Sequence, residues 1–274
     1  MQDTECVAFL QWALPRLGFR WAGFRKVRRQ VCKRVARRMA ALGLDGTKAY
    51  RGYLERTPAE WRVLDALTHI TISRFYRDRA VFDRLAADIF PVLARRRRGG
   101  VVRVWSAGCA SGEEPYTLAI LWRCGSPGRP PLQIVATDAD PAMIARARAG
   151  CYARGSLRDV PGDWPAKAFE RSDDRYCVRP DYRHGVSFLQ QDIRTRTPDG
   201  PFDLVLCRNL AFTYFDEPLQ CRVLARLLTR LPAGGYLLVG RHEKLPDTHA
   251  LAPVAGCPEI LCRTEAMSAA EQVP

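Results

Sequence analysis

The chain has 274 residues, 47% hydrophobic and 26% charged; it is long enough to bury a sizeable core in one or two domains and too apolar for wholesale disorder. Lysines and arginines number 43 against 29 acids, a formal net charge of +14, which favours acidic partners: a protein surface, anionic lipid or nucleic acid. No apolar run reaches the roughly 18 residues of a membrane span, and the N-terminus "MQDTECVAFLQWALP" carries acids where a secretory signal would be basic, so a cytoplasmic location without membrane insertion is expected.

In chain order, the first predicted element of note is a helix over 24–42. Phe24, Val27, Val31, Val35, Met39 and Leu42 recur at the three-and-four spacing of one apolar face. Its other faces carry Arg25, Lys26, Arg28, Arg29, Lys33, Arg34, Arg37 and Arg38, and between Arg16 and Arg38 there are ten basic residues and no acid. Gly43 and Gly46 supply stop signals, and a second helical pattern covers 59–69. Residues 1–80 therefore read as a small all-helical domain, and 81–100 as a linker helix ending in the solvated connector "ARRRRGG".

From 101 onward the chain alternates. Strand-like runs at 101–105, 133–137, 186–190, 203–207 and 235–240 are separated by helical patterns at 113–123, 141–149 and 217–231. That order predicts a mostly parallel sheet with helices on both faces, over 101–265, with ligands at the carboxyl ends of the strands. The stretch 151–185 has no strong helical period, with hairpin strands predicted only around 175–187, and 266–274 reads as a polar tail. Ten cysteines are present, but no CxxC occurs and Cys257 and Cys262 have no matching pair. Buried free thiols, with neither disulfides nor a metal site, are the expectation.

The chemistry concentrates in "RVWSAGCASGEEPYTLAI", residues 103–120. A strand runs into Gly108 and Gly112, then into Glu113 and Glu114 at the start of a helix. This GxxxG is neither a GxGxxG fingerprint nor a P-loop. The acid ending the next strand, Asp138, lies 30 residues past Gly108, further than the roughly 20 of a dinucleotide fingerprint, but it can accept from ribose hydroxyls of any adenosine cofactor. The paired glutamates decide against a pyrophosphate, which they would repel, and for an ammonium, which they would pair. S-adenosylmethionine carries one.

These residues sit among several long motifs in a fixed order. "RRMAALGL", "ITISRFYRD", "RVWSAGCASGEEPYTLAI", "ATDAD" and "LCRNLAFTYFDEPLQ" together resemble the CheR family of S-adenosylmethionine-dependent protein-glutamate O-methyltransferases, over about residues 10–262. The resemblance implies a class I methyltransferase Rossmann-like domain behind a helical N-terminal domain, with S-adenosylmethionine as methyl donor, S-adenosylhomocysteine as product and no metal. It also implies site roles. Glu114, in the Gly108 loop, would take the methionyl ammonium and Asp138 the ribose hydroxyls. Asp192 and Ile193 would border the adenine, while Arg208 and Asn209 line the pocket. Thr71, Ser73 and Arg77 would close over it, with Arg77 and Tyr214 nearest the transferring methyl. The partner implied is an acidic protein substrate, such as the cytoplasmic region of a receptor, docking on the basic helix 24–42.

The chain departs from the family pattern on the substrate side. "CRNLAFTYF" holds one residue more than the family motif, so either a local bulge brings Tyr214 to the family tyrosine's place or Thr213 occupies it. Thr71 replaces the family's asparagine and Ser73 its threonine, and "GRHEKLP" stands where the family has GHSE. A glutamate acceptor, ionised at neutral pH with a pKa of about 4.3, needs no base. An amine or phenol acceptor does, and His242, Glu243 and Asp216 are the candidates near the strand ends. Nucleic acid is not expected as a partner: the basic stretch has no interleaved aromatics beyond Trp21 and Phe24, and no (D/N)PP(Y/F) motif follows the fourth strand. A scaffold that binds the cofactor without catalysis is a further alternative, supported only by the shifted tyrosine.

Overall fold

The computed structural model describes residues 2–125 and 127–264; the predicted tail 266–274 lies outside the described residues. Two compact units emerge, one formed by Met1–Ile70 with Leu210–Gln220, the other by Thr71–Asn209 with Cys221–Pro274.

The first unit is helical: Asp3–Ala13, Trp21–Phe24, Arg28–Ala41, Gly46–Arg56, Glu60–Thr68 and the single turn Ala211–Tyr214. Its core gathers Phe9, Leu10, Phe24, Val31, Val35, Tyr50, Leu54 and Leu64, all fully buried. The basic helix is shorter than its apolar period predicts, starting at Arg28 instead of residue 24. At the break Arg28 turns back, its guanidinium pairing Asp3 at 2.9 Å and donating to the Arg25 carbonyl at 2.8 Å.

Several of the helix's charges prove internal. Arg34 donates to the Leu67 and His69 carbonyls, and Arg38 forks onto the buried Glu60 at 2.9 and 2.7 Å, where the Tyr50 hydroxyl also donates at 2.8 Å. Arg38 and Tyr50 together hold the Glu60 carboxyl below its usual range against the opposing effect of burial. Arg29, Lys33 and Arg37 are exposed and, four residues apart, form one stripe along the helix.

Among the described residues the second unit carries ten strands: β1 Val102–Ala107, β2 Leu132–Asp138, β3 Cys151–Ala153, β4 Phe169–Ser172, β5 Arg175–Val178, β6 Val186–Gln190, β7 Leu204–Cys207, β8 Tyr236–Val239, β9 Leu251–Val254 and β10 Cys257–Arg263. Seven form one sheet in the order β6-β2-β1-β7-β8-β10-β9. From β6 to β8 every pairing is parallel, and β10 joins β8 and β9 antiparallel. β3, β5 and β4 make a small antiparallel sheet, which places the hairpin at 169–178, ahead of the predicted 175–187. The parallel centre is buried on both faces, as a sheet covered by helices must be: every residue of β7 and β8 is buried. Trp105 of β1, fully buried, satisfies its indole N–H on Thr137 Oγ1 at 2.9 Å. Because the five parallel strands share one direction, the residues after their carboxyl ends share one edge.

The expectation of free thiols is corrected. Cys6 bonds Cys32, and Cys151 bonds Cys177. Spacing could not reveal either pair, since each joins residues 26 apart whose approach is set by packing: the first pins two helices, and the second spans directly opposed positions of β3 and β5. Cys109 and Cys257 are buried thiols; Cys124 and Cys221 are exposed ones. Among the described residues no helix is long and apolar enough to cross a membrane, and no group of three or more His, Cys, Asp or Glu is placed to hold a metal ion.

Candidate functional site

β1 ends in the glycine loop, and the loop's shape follows from its residues. Gly108, Ala110 and Gly112 all have positive φ, at 79°, 47° and 92°. At Gly112 a Cβ would come within 2.9 Å of Ala147 Cβ and 3.0 Å of the Tyr152 hydroxyl, so neither the conformation nor the space admits another residue. Asp138, at the end of β2, clasps this loop: its Oδ2 accepts from the Ala110 N–H at 2.8 Å and its Oδ1 from the Asp140 N–H at 2.9 Å.

The paired glutamates part ways at the mouth of the following helix, Glu113–Arg123. Glu113 is buried and accepts from the Ser111 hydroxyl at 2.9 Å. Burial raises its pKa above the ordinary 4.5. Folding then favours the protonated form, so the group's contribution to stability is fully present below pH 4.5 and is lost as pH rises through the raised value. Glu113→Gln, which keeps the neutral shape, should flatten the decline in stability above pH 4.5, read as urea midpoints across a pH series; an unchanged slope would clear Glu113 of that role.

Glu114 instead faces a charge cluster. Its Oε1 accepts from the Ser106 hydroxyl at 2.8 Å and its Oε2 from Arg208 Nη1 at 3.0 Å. Arg208, after β7, has a side chain 3% exposed and also donates through Nη2 to Asp78 Oδ2 at 2.6 Å and to the Arg77 carbonyl at 3.1 Å. Two carboxylates on one guanidinium leave the cluster at −1, a complement for one further cation.

The neighbouring strand ends supply the rest. Asn209, at φ 53°, donates its N–H to Glu243 Oε2 at 2.8 Å, and Gly240, after β8, donates to the same oxygen at 2.7 Å. Glu243 thereby ties the ends of β7 and β8 together. After β6, Gln191 donates its N–H to the Asp138 carbonyl at 3.0 Å, while its Oε1 is buried with no partner among the described residues. Asp192 pairs Arg194 at 2.7 Å and Ile193 is buried. Arg77 donates to the Ile72 carbonyl at 3.1 Å, which folds the segment of Thr71 and Ser73 back on itself.

The structure thus brings Glu114, Arg208 and the Arg77 backbone into one cluster and links Asp138 directly to the loop. Tyr214 belongs to the helical unit, where its ring lies 5.0 Å from that of Phe24 and its carbonyl accepts from the Arg20 N–H at 2.9 Å. The extra residue of "CRNLAFTYF" is absorbed by the helical turn Ala211–Tyr214, closed by Tyr214 N–H to the Leu210 carbonyl at 2.9 Å, not by a strand bulge. Sequence reasoning missed Asp78, Ser106 and Gln191, and took Glu243 only for a base. Asp78, the acid directly after Arg77, was visible in "FYRD"; the others gave no signal of their own.

Residues 71–260 match the family model described as CheR methyltransferase, SAM binding domain. The chain belongs to the CheR methyltransferase family. It is 34% identical over 234 residues to a chemotaxis protein methyltransferase of Salmonella typhimurium, covering 80% of this chain and 77% of that one. With a chemotaxis protein methyltransferase of Listeria innocua the identity is 35% over 189 residues, 68% of this chain and 71% of that one. An uncharacterized 104.1 kDa protein of Rhodobacter capsulatus is 35% identical over 219 residues, 78% of this chain, and the chain spans only 23% of that relative's length.

The family's cofactor can be tested against the groups present. S-adenosylmethionine offers an ammonium, ribose hydroxyls and an exocyclic amine. A cluster with net charge −1 suits the first, and an unpartnered buried acceptor at Gln191 beside Asp138 suits a donor on the nucleoside. The residues fit.

Proposed function

We propose that the chain transfers a methyl group from S-adenosylmethionine to a glutamate side-chain carboxylate of a receptor-type protein. When bound, the cofactor supplies an electrophilic methyl on a sulfonium; the protein's own residues orient, exclude water and bind the acceptor. Glu114 takes the ammonium, Asp138 the ribose hydroxyls, and Asp192 and Ile193 the adenine edge, with Arg208 and Asn209 shaping the pocket between. Thr71, Ser73 and Arg77 form its cover. Arg77 holds one acceptor oxygen by a charge-assisted hydrogen bond, leaving the other to attack in line. Such positioning can supply roughly 7–11 kcal/mol of the barrier.

The observation that carries the choice of acceptor is the fate of the candidate bases. Glu243 is spent on two backbone N–H groups. Asp216 accepts from the Leu219 N–H at 3.0 Å as a helix cap. An acceptor that arrives already ionised needs neither, and relatives named chemotaxis protein methyltransferase support a substrate within chemotaxis. His242, exposed, keeps a second reading in view, an acceptor that must lose a proton. The discriminating experiment is methyl transfer to a chemoreceptor cytoplasmic fragment and to the same fragment with its candidate glutamates changed to alanine; transfer should be lost with them, and undiminished labelling would contradict the proposal.

The exposed stripe Arg29, Lys33 and Arg37 is assigned to capture of that acidic substrate. Replacing all three with glutamine should raise KM for the receptor fragment several-fold and flatten its salt dependence while leaving kcat in place, because screening acts on exposed charges. An unchanged KM and salt response would reduce the stripe to a solvated face.

A further inference from the structure

Arg77 sits on an unusual backbone. The residues on either side, Tyr76 and Asp78, both occupy the left-handed region, at φ 58° and 64°, which residues other than glycine rarely adopt and keep only where their surroundings enforce it. On the Tyr76 side the enforcement comes from its N–H to Thr117 Oγ1 at 3.2 Å and its hydroxyl to Asp83 Oδ1 at 2.6 Å. On the Asp78 side it comes from Arg208, which holds the Asp78 carboxylate at 2.6 Å and the Arg77 carbonyl at 3.1 Å through Nη2. The same guanidinium holds Glu114 through Nη1 at 3.0 Å. It lies over the Phe82 ring at 5.0 Å, and its Nε has no partner among the described residues. Its orientation is therefore set by these three acceptors, and a planar fork cannot turn toward one of them without leaving another.

We propose that Asp78 is a positioning residue: by anchoring Arg208 it fixes the backbone of Arg77 on the guanidinium that also orients Glu114. Cover segment and ammonium-binding carboxylate are then set by one group. The proposal rests on the reading of Glu114 and Arg77 as cofactor residues, and it gives Asp78 no contact with the cofactor. Loss of Asp78 is felt through Arg77 and, by way of Arg208, at Glu114.

The test is calorimetric titration of S-adenosylhomocysteine into the full chain and its variants. Asp78→Asn removes the charge while keeping a residue that tolerates the left-handed region. Asp78→Asn and Arg77→Gln should each raise Kd about tenfold, the loss of a hydrogen bond to a charged group, and the double variant should fall well short of the hundredfold product, because residues acting as a unit are not additive. A Kd raised about a hundredfold in the double variant, or an unchanged Kd in Asp78→Asn, overturns the proposal. Asp78→Gly accepts the same φ and leaves room for a small carboxylate. Formate should restore its affinity and chloride at equal ionic strength should not, a response that a general loss of structure would lack; failure of formate counts against the proposal. Glu114→Gln separates the two levels. If it leaves Kd unchanged, the cofactor reading fails and the proposal with it; if it weakens binding while Asp78→Asn does not, only the proposal fails.

Discussion

Replacing Arg208 with methionine is expected to cost about 3 kcal/mol of stability and to abolish measurable cofactor binding. The side chain is 3% exposed and its methylene stem is matched in volume by methionine, so packing over Phe82 survives. What is lost is the guanidinium that pairs both Glu114 and Asp78, whose side chains are themselves just 15% and 28% exposed. Removing one partner of a buried pair costs about 3–5 kcal/mol, because the remaining charge stays in a poorly solvated place; partial exposure of both acids puts this case at the lower end. For a chain of this size the melting temperature should fall by roughly 6–12 °C. Arg208→Lys keeps the charge but not the fork, and should recover most of the stability without restoring the geometry of three acceptors. A methionine variant as stable as the wild type would show that the cluster is not electrostatically coupled.

Glu114→Gln should weaken binding of S-adenosylmethionine and S-adenosylhomocysteine by about 1.5–3 kcal/mol, the range for hydrogen bonds to charged groups, which is roughly 10- to 150-fold in Kd. Glutamine keeps an acceptor for the Ser106 hydroxyl or Arg208, yet the cluster's net charge rises from −1 to zero and its complement to an ammonium disappears. The fold should be unaffected, which separates this variant from Arg208→Met. Asp138→Ala should weaken binding as well, with loosening of the glycine loop, since it frees the Ala110 and Asp140 N–H groups together. Unchanged affinity in both variants would remove the cofactor assignment.

How far the chain could be read without its structure depended on the range of the interaction concerned. The five parallel strands and the helices between them were legible because continuous apolar runs and a 3.6-residue period are local signals, as were the glycine loop and Asp138 at successive strand ends. The break before Arg28 was not, because the apolar face of 24–42 continues through it. β9 and β10 were missed for a similar reason: "LAPVAGCPEILCR" contains two prolines and little alternation, and its pairing with β8 is a tertiary fact. The disulfides and the links from Arg208 to Asp78 and from Glu243 to Asn209 join residues brought together by the fold, except that Asp78 stood next to a residue already singled out. Within the site, the sequence offers candidates for the cofactor but carries little of what holds those residues in place.

The chemistry of the product distinguishes a methylated carboxylate from a methylated amine or phenol. The full chain is incubated with methyl-tritiated S-adenosylmethionine and a chemoreceptor cytoplasmic fragment, the labelled protein is isolated, and the label released by mild base is collected as vapour. A glutamate methyl ester hydrolyses to volatile methanol, so the account predicts that the transferred label leaves almost entirely in the vapour. Label that stays on the protein through the same treatment would mean a methylated amine or phenol, and would contradict carboxylate methylation.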